Sequence, residues 1–207
     1  MSVYILDCET TGTSKSDQVI ELAYLEVSTL HEEFNELAVM DLSKIDMFPN
    51  VVDVYQYLPT CPINPHAHAV HGITRAMLAG KPLSSSVEIP TPVTYIIGHN
   101  IQFDIRMLGQ SNKKLISKLA SIKTICTLDL ARLLSKHFKL EYENHKLDTL
   151  LHHYYPEYSH LLIKDTHSAQ GDVVKNLLVL LKLVSHLTNV QTWDDLYSMQ
   201  ENIKNIK

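Results

Sequence analysis

The sequence predicts an α/β fold in which helices pack around a mixed sheet. Three short apolar runs come early in the chain, and later runs of this kind alternate with segments of helical spacing. That order is typical of layered α/β domains. No internal repeat, low-complexity tract or linker interrupts the 207 residues. We therefore expect a single domain over residues 1–207.

Five short apolar segments, each bounded by polar or turn-forming residues, predict the strands of the sheet. They are residues 3–8, 19–27, 51–58, 93–98 and 122–126. Residues 28–50 show no clean period and predict only an elaborated connection between the second and third strands. Pro59, Pro62 and Pro65 then break regular structure.

Helices are predicted where apolar residues recur at helical spacing or where capping residues begin and end a segment. Thr74 is expected to cap a short helix that Gly80 ends. Thr127 is expected to cap a helix that runs to about residue 138. The other predicted helices are residues 103–108, 146–153, 169–187 and a short C-terminal helix at about 192–201.

The composition is that of an ordinary globular protein, with 45% apolar and 20% charged residues and a formal net charge of −5. That charge disfavours broad coating of nucleic acid but is compatible with a grip on a few terminal nucleotides. No apolar run approaches the ~20 residues of a membrane span, and the N-terminus does not resemble a signal peptide. We expect a cytoplasmic protein without membrane contact. Its three cysteines are too widely spaced for a disulfide framework.

Two carboxylates stand at the end of the first predicted strand. Asp7 and Glu9 are two residues apart and therefore project from the same face, with Cys8 turned into the core. Neighbouring carboxylates repel each other unless they are protonated or bridged by a cation. Oxygen ligands of this kind suit magnesium or manganese. The alternative is a strand end with two solvated acids.

Two more acids stand at the starts of helices. Asp104 falls in the first turn after the fourth strand, where the helix dipole favours a carboxylate. Asp172 falls at the head of the long helix, and His167 lies just before it on a loop. Taken singly, Asp104 is more readily interpreted as an ordinary helix-end charge, and His167 as a surface histidine. Together with Asp7 and Glu9 they form a set that chance rarely produces.

These residues resemble the DEDDh branch of the DnaQ-like 3′–5′ exonucleases. Residues 62–77 and 125–133 are in addition similar to the exodeoxyribonuclease X group of that family. The resemblance covers residues 3–187 and implies a ribonuclease-H-like fold, with a five-stranded mixed sheet flanked by helices on both faces. The matching motifs are Asp7-x-Glu9 followed by Thr-Thr-Gly, then His99-Asn100 with Phe103-Asp104, and then His167 and Asp172 separated by four residues.

The resemblance implies two-metal hydrolysis that releases nucleoside 5′-monophosphates from nucleic acid 3′ ends, with DNA favoured over RNA. Two Mg²⁺ ions, for which Mn²⁺ could substitute, would be held by Asp7, Glu9, Asp104 and Asp172. His167 would be the general base, because an imidazole with a pKa near ~6.5 is mostly neutral at pH 7. The candidate substrate-binding residues are Thr10, Thr11, Gly12, His71, Asn100 and Phe103. For Phe103 a packing role, and for Asn100 a helix-capping role, are equally open.

Three other functions remain open at this point. The substrate could be RNA, because the sequence does not reveal how the pocket treats a 2′-hydroxyl. The protein could be a proofreading or repair subunit that binds a polymerase, and it could form a homodimer. A catalytically inactive binding module would be expected to lack at least one of the five motif residues, and all five are present. DNA repair is the pathway that we expect.

Overall fold

The computed structural model describes residues 1–39, 41–42, 51–163 and 167–204. Its centre is a five-stranded sheet in the order β3-β2-β1-β4-β5. β1 pairs antiparallel with β2 and parallel with β4, so the sheet is mixed. This confirms the predicted fold class. The strands are β1 Val3–Thr10, β2 Val19–Val27, β3 Asp53–Gln56, β4 Tyr95–Gly98 and β5 Lys123–Cys126.

Helices surround this sheet and are numbered along the chain. The first four are α1 Leu30–Val39, α2 Pro65–His71, α3 Ile101–Ser111 and α4 Ile116–Ala120. The others are α5 Thr127–Phe138, α6 Leu147–Tyr154, α7 Ser159–Leu162, α8 Ala169–Ser185 and α9 Trp193–Lys204. Short 3₁₀ turns occupy Ser84–Ser86 and Lys113–Leu115.

Alternating side chains of the strands build the two larger clusters of the core, one on each face of the sheet. On one face, Ile5 and its neighbours pack against α5, α6 and α8. On the other face, Leu6 and Cys8 pack against α3 and the segment that follows it. α8 is buried along most of its length and contacts both β1 and β2. Its first turn is thereby fixed beside the end of β1.

The structure corrects three local predictions. The segment around Pro65 is not a loop, because Asn64 caps α2 with its side chain, Pro65 takes the first helical position and Gly72 ends the helix at φ 70°. Residues 74–79 form consecutive turns rather than a helix, with Met77 N–H donating to the Thr74 carbonyl at 3.1 Å. Thr127 does not cap α5, because its hydroxyl donates to Asn176 Oδ1 at 2.8 Å.

The predicted connection at residues 28–50 contains α1, and residues 43–50 lie outside the described part of the chain. The third strand is shorter than predicted, because residues 51–52 and 57–58 lie outside β3. None of the helices among the described residues combines the length and apolarity that crossing a bilayer requires.

Candidate active site

Three elements that are far apart in the chain deliver acidic side chains to one end of the sheet. β1 carries Asp7 and Glu9 on the face that packs against α8, and Cys8 points into the opposite core as predicted. β4 runs parallel to β1 and leads through Asn100 into α3, so the first turn of α3 places Asp104 beside β1. α8 begins at Ala169, and its first turn carries Asp172.

Carboxylate oxygens of Asp7, Glu9 and Asp172 lie within 4.8 Å of one another. We call these three residues the acidic set. Glu9 is only 8% exposed, so its charge is largely removed from water. Burial and the neighbouring Asp172 raise the pKa of Glu9 to about 8. Burial and the charge of Asp104 likewise raise the pKa of Asp7 well above its ordinary value. The fold thus holds these acids where their ionised forms repel one another.

Asp104 lies next to the acidic set and is anchored by the backbone of β1. Its Oδ1 accepts a hydrogen bond from the N–H of Cys8 at 3.0 Å. The residue is 3% exposed, and burial raises its pKa to about 7 although its own N–H and that of Cys8 oppose the shift. This bond fixes the distance between β1 and α3 at the site.

His167 lies at the rim of the acidic set. Its Nδ1 is 3.2 Å from Asp172 Oδ2, and the hydrogen bond between them raises the pKa of the imidazole. Its backbone N–H donates to the Val70 carbonyl at 2.9 Å, which ties the loop before α8 to α2. The histidine therefore contacts Asp172, one member of the acidic set, from the loop before α8.

Sequence reasoning missed two charged residues at this site. Lys175, which is 3% exposed, has its Nζ 2.5 Å from Asp172 Oδ1 and 2.7 Å from Asp148 Oδ1. Asp148, on α6, also lies 3.6 Å from Nε2 of His167. A signal for Lys175 was present: it is a charged residue three positions after Asp172, within the apolar stretch of α8.

The Lys175 ammonium group changes the electrostatics of the acidic set. Burial by itself would raise the pKa of Asp172, but the His167 hydrogen bond and the Lys175 charge lower it. Lys175 keeps a raised pKa against the effect of burial because Asp172 and Asp148 surround it. Asp172 is therefore ionised at neutral pH. The pKa values of Asp7 and Glu9 stay raised because burial and the neighbouring acids outweigh the charges of Lys175 and His167.

A cleft of about 370 Å³ opens beside Glu9, within the roughly 300–1,000 Å³ range of small-ligand sites. Four of the predicted substrate-binding residues line it, namely Thr10, Gly12, His71 and Phe103. Its opposite wall is α2, which the sequence analysis did not find. Asn64 followed by Pro65, and then Gly72, is the signal that predicts such a helix.

His71 is fixed by two backbone groups. Ile73 N–H donates to its Nδ1 at 3.0 Å, so Nε2 carries the proton and donates to the Thr10 carbonyl at 3.2 Å. Burial lowers the pKa of this imidazole and favours the neutral form. The ring of His71 thus forms part of the cleft wall, and its Nε2 is hydrogen-bonded to the end of β1.

Two predicted substrate-binding residues are placed differently from the expectation. Thr11 is fully buried and does not line the cleft, because its hydroxyl donates to Asp17 Oδ1 at 2.8 Å inside the loop. Asn100 takes the N-cap position of α3 with φ 66°, but its side chain makes no capping hydrogen bond. It is exposed and does not line the cleft. The cap position predicted for Asn100 is thus confirmed, although its side chain makes no capping hydrogen bond.

The model of the exonuclease family RNase_T matches residues 4–180 of the chain. The chain belongs to this family of DnaQ-like exonucleases. Its exonuclease domain is similar to parts of much longer bacterial proteins named DNA polymerase III PolC-type. It is 28% identical to the protein of Latilactobacillus sakei over 86% of this chain, and 24% identical to that of Caldanaerobacter subterraneus over 90%. The chain spans only 11% and 12% of those relatives.

Solved structures with this fold include two DNA complexes. The zinc-bound complex of E. coli exonuclease I with single-stranded DNA superposes with a TM-score of 0.65 at 16% identity, covering 91% of this chain and 41% of that one. Exonuclease X bound to 5′-overhanging duplex DNA superposes with a TM-score of 0.50 at 24% identity, covering 93% and 98%. At sequence identities this low, the superpositions establish a shared fold alone.

The acidic set of the exonuclease domain fits a divalent cation. Its donors are carboxylate oxygens, which hard cations prefer, and they converge within 4.8 Å. Within the acidic set Lys175 pairs with Asp172, and His167, when protonated, pairs with the same carboxylate. A bound divalent ion would relieve the repulsion between Asp7 and Glu9. DnaQ-like exonucleases in general use divalent metal ions.

Proposed function

We propose that this chain is a magnesium-dependent 3′–5′ exonuclease that removes nucleoside 5′-monophosphates from DNA 3′ ends and acts in DNA repair. One observation carries the proposal: three carboxylates from β1 and α8 converge within 4.8 Å beside the imidazole of His167. Membership of the exonuclease family supports a nuclease, and the DNA complexes of similar fold support DNA as the substrate.

Asp7, Glu9 and Asp172 would hold one Mg²⁺, and Asp104 with Asp7 a second one, for which Mn²⁺ could substitute. When bound, the ions would lower the pKa of the attacking water and stabilise charge on the leaving 3′ oxygen. Among the protein's own groups, the Cys8 N–H orients the Asp104 carboxylate. Lys175 orients Asp172 from the side facing α6.

His167 would accept the proton of the attacking water. Because Nδ1 donates to Asp172 Oδ2, the lone pair lies on Nε2 in the neutral imidazole. The Asp148 carboxylate, 3.6 Å from Nε2, would then stabilise the imidazolium that forms. Phe103 and the ring of His71 line the cleft and would contact the terminal base, where stacking is tolerant of sequence.

The direct test is digestion of oligonucleotides labelled at either end, as single-stranded DNA, duplex DNA and RNA, with magnesium, manganese or a chelator. We expect shortening from the 3′ end, release of nucleoside 5′-monophosphates and no activity in chelator. Asp7→Asn should abolish cleavage, whereas Glu21→Gln, at a buried carboxylate outside the acidic set, should retain it. Cleavage that persists in chelator, or that proceeds from the 5′ end, would contradict the proposal. Faster digestion of RNA would reassign the substrate.

A second candidate is a proofreading subunit, which the matches to PolC-type polymerases favour. Gel filtration of the tagged chain with the replicative polymerase of its own cell tests this role. Co-elution, together with faster removal of a mismatched primer terminus, would support it. Independent elution would leave the free exonuclease as the function.

A further inference from the structure

A groove of about 680 Å³ lies on the outer face of α3. We call it the α3 groove. Its floor is apolar, formed by Ile105, Gly109 and Leu119, and its rim carries Lys15, Arg106 and Lys113. No carboxylate lines it among the residues that the structure describes. Three cations without an acid are unusual in a chain whose net charge is −5.

The α3 groove and the active-site cleft share one wall. The Arg106 guanidinium lies 5.2 Å from the centroid of the Phe103 ring, which lines the cleft. Arg106 Nη1 also donates to the carbonyl of Thr13, another residue of the cleft, at 3.2 Å. A molecule that leaves the cleft past Phe103 therefore meets the cationic rim directly.

The loop that carries Lys15 is held in place by α3. The side-chain amide of Gln110 donates to the Ser14 carbonyl at 2.9 Å and to the Asp17 carbonyl. The Asp17 carboxylate is turned into the loop, where it accepts hydrogen bonds from Ser14 N–H at 2.7 Å and from the Thr11 hydroxyl. The nearest acid in sequence thus does not neutralise Lys15.

Two other lysines of this region, Lys118 and Lys123, are engaged elsewhere. Lys118 donates to the Ile89 and Pro90 carbonyls and to Thr91 Oγ1, and Lys123 pairs with Asp194 at 3.0 Å. Neither Lys15 nor Lys113 forms an ion pair with a residue in the described ranges, and both are exposed. Their charges face water and remain available to an external anion.

We propose that the α3 groove binds the phosphodiester backbone of nucleic acid beyond the nucleotides held in the active-site cleft. The cations would contact phosphates, and the apolar floor would accommodate sugars. The proposal rests on the proposed exonuclease function, since the cleft supplies the end from which the backbone runs. Two sources offer this chemistry: the upstream part of the cleaved strand and the strand paired with it.

The test compares the wild-type protein with the double variant Lys15→Glu/Lys113→Glu. A third protein, Lys81→Glu/Lys136→Glu, makes the same charge change at exposed lysines outside the groove and is the control. The substrates are the p-nitrophenyl ester of thymidine 5′-monophosphate, single strands of four and twenty nucleotides, and a duplex with a recessed 3′ end. The ester has a single nucleotide and no neighbouring phosphodiester.

We expect the groove variant to hydrolyse the ester at the wild-type rate and to show a KM raised about tenfold on a long substrate, with kcat changed less than twofold. The slope of log KM against log salt should fall by about 1.4, since each single-strand phosphate contact contributes about 0.7. A defect already present on the twenty-nucleotide single strand assigns the groove to the cleaved strand. A defect confined to the duplex assigns it to the paired strand.

Equal KM values for the groove variant and the control on every substrate would overturn the α3 groove as a nucleic-acid site. That result would leave the exonuclease function intact. By contrast, a wild-type protein that cleaves neither the ester nor any oligonucleotide would refute the proposed function itself. A groove variant that also loses ester hydrolysis would place these lysines in the cleft and likewise overturn the assignment.

Discussion

Nζ of Lys175 lies 2.5 Å from Oδ1 of Asp172, one turn earlier on the same helix. A buried ammonium next to a proposed metal ligand makes the local charge balance depend on both residues. Because the lysine also contacts Asp148 at 2.7 Å, it connects α8 with α6 behind the acidic set. If Asp172 holds a metal ion as proposed, stability and metal binding would be coupled at this point.

Lys175→Met should destabilise the metal-free protein by about 3–5 kcal/mol, because it leaves two carboxylates without their buried partner. Urea unfolding at pH 7 in chelator measures this loss. The loss should shrink when magnesium or manganese is added, since a divalent ion replaces the missing positive charge. The control is Lys136→Met, at an exposed lysine of α5. Equal stability of the Lys175 variant and the control would refute a structural role for the pair.

Glu9→Gln should have opposite effects on stability and activity. The pKa of Glu9 is raised to about 8 in the fold, so stability is lost as the pH rises from about 4.5 to about 8. Gln removes this penalty, and we expect the metal-free variant to be more stable by about 2 kcal/mol at pH 8 and to show little gain at pH 5. Cleavage should be abolished. The free energy of unfolding in chelator at pH 5 and pH 8 tests this expectation, with Glu157→Gln, at an exposed residue, as the control. A Glu9→Gln variant less stable than the wild type at pH 8 would contradict the expectation.

His167→Ala should reduce kcat by about 10²–10⁴, the usual contribution of a general base. Manganese binding, followed by calorimetry, should be retained, because His167 lies outside the acidic set. His160→Ala, at an exposed histidine, is the matched control. Near-normal turnover in the His167 variant would remove this residue from the mechanism.

We expect His99 to make the protein less stable to unfolding at acidic pH. Burial lowers its pKa to about 4, while its Nε2 lies 2.9 Å from the His145 carbonyl. Between pH 6.5 and 4 the unfolded chain binds a proton that the fold excludes, so stability falls as the pH falls, by up to about 3 kcal/mol. The difference in unfolding free energy between wild type and His99→Gln should therefore shrink over this range. A difference independent of pH would show that His99 does not titrate in this way.

Two glycines close to α3 should respond oppositely to alanine. A Cβ at Gly98 would lie 2.6 Å from Ile101 Cδ1 and 3.1 Å from the Leu6 carbonyl oxygen, so Gly98→Ala should disturb the junction that leads to Asp104. A Cβ at Gly109 would lie 3.4 Å from Ile116, at ordinary contact distance, and Gly109→Ala should add up to about 1 kcal/mol of helix stability. Thermal unfolding of both variants tests the contrast, which fails if they shift in the same direction.

Period-two and helical spacing were sufficient to predict most of the fold. The side chains of residues 3–8 and 19–27 point alternately to the two covered faces of the sheet. The long apolar stripe of α8 predicts a helix that packs against this sheet. The misassigned segments are short and depend on local hydrogen bonds. Residues 74–79 have the composition of a helix but form only turns with hydrogen bonds between residues i and i+3. Tertiary packing, which the sequence does not show, overrides helix propensity in a segment this short.

The motif acids were predictable because each stands at the end of a strand or the start of a helix. The partners of those acids were not, because Asp148 reaches His167 only through the packing of α6 on α8. The burial of Thr11 was equally hidden, since it depends on how the following loop folds back to Asp17. Position along an element can be read from sequence, whereas contacts between elements require the fold.

The contribution of Asp172 by α8 has a consequence for synthesis of the protein. At roughly 5–20 residues per second, roughly 10–30 s separate the translation of Asp7 from that of Asp172. Until α8 has left the ribosome and docked on the nascent sheet, Asp7, Glu9 and Asp104 lack the carboxylate of Asp172. If Asp172 is a metal ligand as proposed, cleavage of nearby nucleic acid would be confined to chains whose synthesis has passed this helix.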